Sequence, residues 1–266
     1  MQLKASEIKQ IALELGLPVA TPEKARSEDF VDQVRSLEAD ALVVASYGQI
    51  LSQSLLDSAK RGGINLHGSL LPKYRGAAPI QRCLLNGDHE TGVTLMQMDK
   101  GMDTGDMIAV SSTDIDADET YGELQDRLAL IAAEMAADWL PRICEGNYPR
   151  RPQNSAESTV APKVERPETE LQWMNDAGTE YNRFRAFTPA PGVFIQAAHG
   201  QLKITKARLG SMSGHPGDVL EGGQGCLTAF SGGSLDLLEV QPESKRPMSG
   251  RDFMNGYRIG PGSSLR

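Results

Sequence analysis

Residues Ala41-Leu42-Val43-Val44-Ala45-Ser46 form a compact, uncharged, mostly apolar run that Gly48 closes. A run of this length and composition suits a strand buried on both faces, as in sheets flanked by helices. The neighbouring pattern agrees. Ser6 is placed to cap a helix whose apolar residues Ile8, Ile11, Ala12 and Leu15 keep helical spacing up to Gly16, and Val19 reads as a short strand. Leu51 to Ala59 reads as helix, Gly63 to His67 as strand, Ile80 to Leu85 as helix and Thr91 to Met98 as an alternating strand. Thr120 and Glu123 have capping-box spacing ahead of a helix lined by Leu124, Leu128, Ile131, Met135 and Trp139. This βαβα rhythm predicts an α/β fold with a doubly wound, mostly parallel sheet.

The texture changes after Tyr148. Pro149-Arg150-Arg151-Pro152-Gln153-Asn154-Ser155 cannot hold a regular helix and lacks strand alternation, so a linker is expected to about Arg166. Beyond it, strand candidates Val193 to Ala197, Gln201 to Ala207, Cys226 to Phe230 and Leu235 to Val240 alternate with Gly-rich turns, as in a small β-barrel. With 266 residues the chain is long enough for these two domains. Its net charge of -8 argues against a generic nucleic-acid binder. The charge is uneven, however: residues 1–148 carry 13 basic and 23 acidic groups, and residues 149–266 carry 14 and 12. No apolar run suits a membrane span and no secretion signal opens the chain, so a soluble, cytoplasmic protein is expected, and a monomer is the expected assembly. Cys83, Cys144 and Cys226 are widely spaced and read as reduced thiols, and His67, His89, His199 and His215 form no cluster of metal-ligand spacing.

The chemistry concentrates in one stretch, Gly63-Ile64-Asn65-Leu66-His67-Gly68-Ser69-Leu70-Leu71-Pro72-Lys73-Tyr74-Arg75-Gly76-Ala77-Ala78-Pro79. It leaves a strand for a Gly- and Pro-rich loop, where open α/β sheets place their ligands. Alternation puts Asn65 and His67 on one face and Leu66, buried, on the other. An isolated Asn-x-His pair is ordinarily a hydrogen-bonded strand end. Here a second feature joins it: Asp99-Lys100-Gly101-Met102-Asp103-Thr104-Gly105-Asp106, an acidic loop that a neighbouring parallel strand, Thr91 to Met98, would bring to the same rim. An amide donor, an imidazole and a carboxylate suit a reaction passing through a tetrahedral intermediate: the amide stabilises an oxyanion, the imidazole moves protons and the carboxylate orients the ring. Lys73 and Arg75 in the same loop read either as contacts for an anionic ligand, folate glutamate or RNA phosphate, or as solvated loop charges.

The run Asn65 to Pro72, with Arg75 to Gln81 and Gly92 to Asp106, closely resembles the methionyl-tRNA formyltransferase family, and the resemblance resumes at Arg185-Ala186-Phe187-Thr188-Pro189-Ala190-Pro191-Gly192 and at Pro261-Gly262. It implies the formyltransferase fold followed by an OB-like barrel: a catalytic domain over residues 1–148, a linker over 149–166 and a tRNA-binding domain over 167–266. It also implies 10-formyltetrahydrofolate as formyl donor, methionyl initiator tRNA as acceptor and no catalytic metal. Asn65, His67 and Asp103 would be catalytic; Tyr47, Gly48, Gln49, Met98, Gly101 and Met102 would line the folate pocket, with Ser69, Leu70, Leu71 and Pro72 shaping its approach. The basic group Arg150, Arg151, Lys163 and Arg166, in and after the linker, reads either as a contact to the tRNA backbone or as a plain solvated linker. By the same resemblance the chain is expected to begin after the family's first strand, glycine turn, helix, second strand and basic loop. The alternatives are a related folate-dependent formyltransferase or hydrolase with another acceptor, or a non-catalytic folate- or RNA-binding fragment.

Overall fold

A computed structural model describes residues 5–266. They fall into two compact units, the first ending at Gly63 and the second running Ile64–Arg266.

The first unit holds α1 (Glu7–Glu14), α2 (Glu28–Arg35), β1 (Leu42–Val44) and α3 (Gln53–Leu56). Ser6 caps α1 by accepting a hydrogen bond from the Lys9 amide, as its position predicted. Ala25, Val31 and Leu55 form the unit's core, with Phe30, Val34, Leu42 and Leu51 packed against it. The expected strand at Ala41 to Ser46 is shorter, and Val43 is 48% exposed rather than buried. Leu42 reaches the core, whereas Val43 points away from it, and Ser46 and Gly48 turn the backbone into positive φ and end the strand. Val19 lies in an irregular segment, and the helix expected from Leu51 starts only where Ser52 caps it.

β2 (Gly63–His67), whose first residue closes the first unit, opens the second, and the two-residue β3 (Arg75–Gly76), α4 (Pro79–Leu85), β4 (Glu90–Gln97), β5 (Met107–Asp114) and α5 (Tyr121–Glu145) follow in order. β4 pairs with β2 in the register His67↔Thr94 to Ile64↔Gln97 and with β5 on its other side, both antiparallel. The parallel neighbour expected for the Asn65 strand is therefore corrected. The seven residues of α4 span only about 10 Å, and the chain returns to the His67 end of β2, so β4 starts there and runs back. α5 opens with the expected capping box, Glu123 accepting from the Thr120 amide at 2.9 Å, and buries Leu124, Leu128, Met135 and Ile143. Ile131 and Trp139 are only half-buried.

The segment after α5 is tied down rather than loose. Arg151 and Met107 exchange backbone hydrogen bonds at 2.9 Å, and β6 (Val160–Ala161) pairs with β3 in parallel. Next come α6 (Ala177–Phe187), β7 (Val193–Ala197), β8 (Gly200–Gly210), β9 (Cys226–Phe230), β10 (Gly233–Pro242), β11 (Met248–Ser249) and α7 (Gly250–Tyr257). The strands form a curled antiparallel half-barrel in which β10 pairs with β8, β9 and β11, and β7 with β8. Val193, Ile195, Leu202, Ile204, Leu235 and Leu237 fill its inner face, and Phe184, Phe187 and Phe253 are buried with them. No helix among the described residues is long and apolar enough to cross a membrane.

Candidate active site

β2 ends with Asn65 and His67 two residues apart, so alternation gives both side chains one face. Leu66, on the other, is half-buried rather than buried. The loop between β4 and β5 folds back against its own strand: the Gln97 amide donates to Asp106 O at 2.8 Å, and a Cβ on Gly105 would collide with Gln97 O. That return presents Asp103, in left-handed backbone at φ 54°, to the end of β2. Asp103 Oδ1 accepts from Asn65 Nδ2 at 3.4 Å, and Oδ2 accepts from the Gly76 amide at 2.9 Å and lies 3.7 Å from His67 Nδ1. The sequence-predicted triad is thus assembled, with 7% of the His67 side chain and 17% of the Asp103 side chain exposed.

The other imidazole nitrogen fixes the state of the ring. His67 Nε2 lies 2.9 Å from Tyr74 O, and a carbonyl only accepts, so Nε2 carries the proton. Nδ1, on the Asp103 side, is left as the nitrogen that exchanges one. Tyr74 holds its carbonyl in place from a left-handed backbone at φ 61°. Its phenol donates to Asp88 Oδ2 at 2.7 Å and accepts from Asn86 Nδ2 at 2.9 Å, and its amide donates to Thr159 Oγ1 at 2.9 Å. Burial and the bond to Asp88 push the phenol well above the usual tyrosine range, so it stays a neutral donor. Tyr74, Gly76 and Thr159 were not singled out from sequence: Tyr74 acts through its backbone, and Thr159 lies 85 residues away.

The remaining expected residues divide. Ser69 Oγ donates to Lys73 O at 2.7 Å, while Thr94 Oγ1 donates to Ser69 O and accepts from the Leu71 amide. The Ser69 to Pro72 loop is therefore pinned to β4, with Leu70 partly exposed and Leu71 buried. Met98 is partly exposed, Gly101 donates its amide to Asp99 Oδ1, and Met102 is 70% exposed at the loop tip. Tyr47, Gly48 and Gln49 belong to the first unit, where Gln49 Oε1 accepts from the Ala25 amide at 2.8 Å. Arg75 directs Nε and Nη2 onto Gln153 Oε1. Arg150 pairs with Asp106 at 3.0 Å, and Arg151, Lys163 and Arg166 are exposed. Among the described residues, no three His, Cys, Asp or Glu side chains gather as metal ligands.

A donor amide, an imidazole and a carboxylate at one strand end, on an α/β scaffold followed by a half-barrel, define a class. Residues 2–140 match the formyl transferase family and residues 163–258 its C-terminal domain, and the chain belongs to that family. Within it the chain stands with the methionyl-tRNA formyltransferases. It is 42% identical over 259 residues to that of Geobacter metallireducens, spanning 97% of this chain and 83% of the relative. It is 41% identical over 265 residues to that of Chlamydia abortus, spanning 96% and 83%. Among solved structures, HypX from Aquifex aeolicus in complex with tetrahydrofolic acid shares the fold at TM-score 0.69 and 16% identity, over 88% of this chain and 42% of that longer one. An N-formyltransferase from Helicobacter canadensis, in complex with folinic acid and dTDP-3-aminofucose, does so at 0.64 and 19%, over 85% and 80%.

Proposed function

We propose that the protein transfers a formyl group from 10-formyltetrahydrofolate to the α-amino group of methionyl initiator tRNA, with Asn65, His67 and Asp103 as its catalytic residues. The convergence of Asn65, His67 and the Gly76 amide on one carboxylate carries this reading. The amine nitrogen attacks the formyl carbon, and the carbonyl oxygen takes the negative charge. Asn65 Nδ2 has two N–H groups, so one stays on Asp103 while the other donates to the oxyanion. His67 Nδ1 accepts the proton lost by the attacking nitrogen and returns it to the folate nitrogen as the C–N bond breaks. Asp103 faces the positive charge that the ring carries between those steps. No metal takes part.

Tyr47, Gly48, Gln49, Met98, Gly101 and Met102 are assigned to folate, with Ser69 to Pro72 at its approach. Residues 1–148 act as the catalytic domain, 149–166 as the connection and 167–266 as the tRNA-facing domain, with Arg150, Arg151, Lys163 and Arg166 on the acceptor's phosphates. The protein works as a cytoplasmic monomer. Formyl transfer is to be measured with charged initiator tRNA and with an amino-sugar nucleotide, in the parent and in the Asn65→Ala, His67→Ala and Asp103→Ala variants. Turnover on tRNA is expected, falling about a hundredfold or more in Asn65→Ala. Activity on the sugar alone refutes the acceptor, and near-normal turnover in a variant removes that residue from the mechanism.

A further inference from the structure

Gln153 belongs to the segment between α5 and β6, far in sequence from both halves of the site, yet its amide is used at both ends. Nε2 donates to Asp103 O and Gly105 O, each at 2.8 Å. Oε1 accepts from Arg75 Nε at 3.0 Å and Nη2 at 2.7 Å. These contacts join the two segments that set the environment of the Asp103 carboxylate. One is the loop that carries it, at φ 54°; the other is Arg75-Gly76, whose glycine amide meets Oδ2 at 2.9 Å. A left-handed residue other than glycine stays so only while its surroundings hold it, and here two of the holding bonds come from one side chain. No other uncharged side chain matches this use: serine and threonine are too short, and asparagine loses a methylene of reach.

We propose that Gln153 is a positioning residue for formyl transfer, holding the Asp103 carboxylate against Asn65 and His67 without touching either substrate. The proposal rests on the catalytic assignment of Asn65, His67 and Asp103. A glutamate at 153 separates its two roles. It keeps an acceptor for Arg75, now as an ion pair, but cannot donate and sets negative charge against two carbonyl oxygens.

The test compares Gln153→Glu, Gln153→Ala, Asp103→Asn and the double variant Gln153→Glu/Asp103→Asn. Gln153→Glu is expected to lower kcat at least tenfold, with KM for folate donor and for tRNA within twofold. On top of Asp103→Asn it is expected to add less than twofold, since its effect passes through that carboxylate. Nitrogen-15 spectra of the histidine side chains supply a readout independent of turnover: the His67 signals, assigned by their loss in His67→Ala, are expected to shift in both Gln153 variants. Parent-like kcat in Gln153→Glu, a loss that multiplies with that of Asp103→Asn, or unmoved His67 signals would overturn the proposal. If the parent itself transfers no formyl group, the functional reading fails, and the His67 spectra still decide on Gln153.

Discussion

Replacing Gly76 by alanine tests the packing of the site where it is tightest. A Cβ built on Gly76 lies 2.6 Å from Ala161 O and 3.2 Å from Ala161 C, and the backbone there has φ +128°. The obstructing atoms are main chain in the β3–β6 pair, which cannot swing aside like the end of a long side chain. Two costs add. Holding an L residue in that region takes about 1–3 kcal/mol, and separating overpacked backbone takes about 1–3 kcal/mol more. The strand then moves the Gly76 amide off Asp103 Oδ2, a charge-assisted bond of about 1.5–3 kcal/mol in its own right. Stability is expected to drop by about 3 kcal/mol or more, lowering Tm by roughly 6–12 °C for a chain of this size. Turnover should fall at least tenfold at a temperature where the variant is still folded. Calorimetry or melting followed by circular dichroism gives the first quantity and the formylation assay the second. A Tm within 2 °C of the parent together with kcat within twofold refutes the reasoning, because the approach to Ala161 then neither strains the chain nor supports the carboxylate.

Two further outcomes follow from the charges and thiols. Glu168, bonded to Arg82 on α4, is held below its ordinary value of 4.5 by that guanidinium. A depressed carboxylate contributes stability that is fully present above its unfolded pKa and is lost as pH falls through the folded one. The stability gap between parent and Glu168→Gln should therefore be constant above about pH 5 and shrink in acid; equal gaps in urea titrations at pH 7 and pH 3.5 would count against this. Burial pushes the Cys83 thiol up to about 11 and that of Cys226 to about 12, while Cys144 is exposed. A chromogenic disulfide reagent at pH 8 should modify one thiol promptly and the other two only on unfolding, and prompt reaction of all three would contradict the burial.

What the sequence disclosed depended on how local each signal was. Asn65 and His67 were legible because a two-residue spacing at a strand end fixes their common face, and a carboxylate partner because the loop after the next strand is acidic and punctuated by glycines, whereas the choice of Asp103 over Asp99 and Asp106 came from the family resemblance. The direction of β4 was not, since alternation is the same read either way and only the register with β2 reveals it. β5 was not named, and α6 was hidden by its own chemistry: it buries Glu180 and Arg185 among its apolar residues, so no clean apolar stripe shows. Glu180 is satisfied by the Gln172 amide and Asn175, partners outside the helix. The stretch after Tyr148 read as an unstructured connection because its proline and arginine content says nothing of partners 48 to 78 residues away. Its order comes from those tertiary contacts together with one short 3₁₀ turn, Ser155–Glu157, that Asn154 caps.

In the proposed reaction the same contacts let a carboxylate sit beside an oxygen that must become negative. Two like charges about 5 Å apart repel by roughly 3 kcal/mol at the effective dielectric of a partly buried site, enough to cancel much of the benefit of an oxyanion donor. Asp103 escapes that penalty only if its own charge is already engaged, and two neighbours do so, the Gly76 amide and the Asn65 amide, joined by the His67 ring once Nδ1 has taken up a proton. Asn65 stands between the two charges with an N–H for each. An aspartate at 65 would supply neither donor and would add a third negative charge. A displaced Asp103 would leave Asn65 free to turn and the carboxylate facing the oxyanion unscreened. In the proposed mechanism the catalytic value of the amide thus depends on where the carboxylate is held, by the Gly76 amide on one side and by Gln153 on the other.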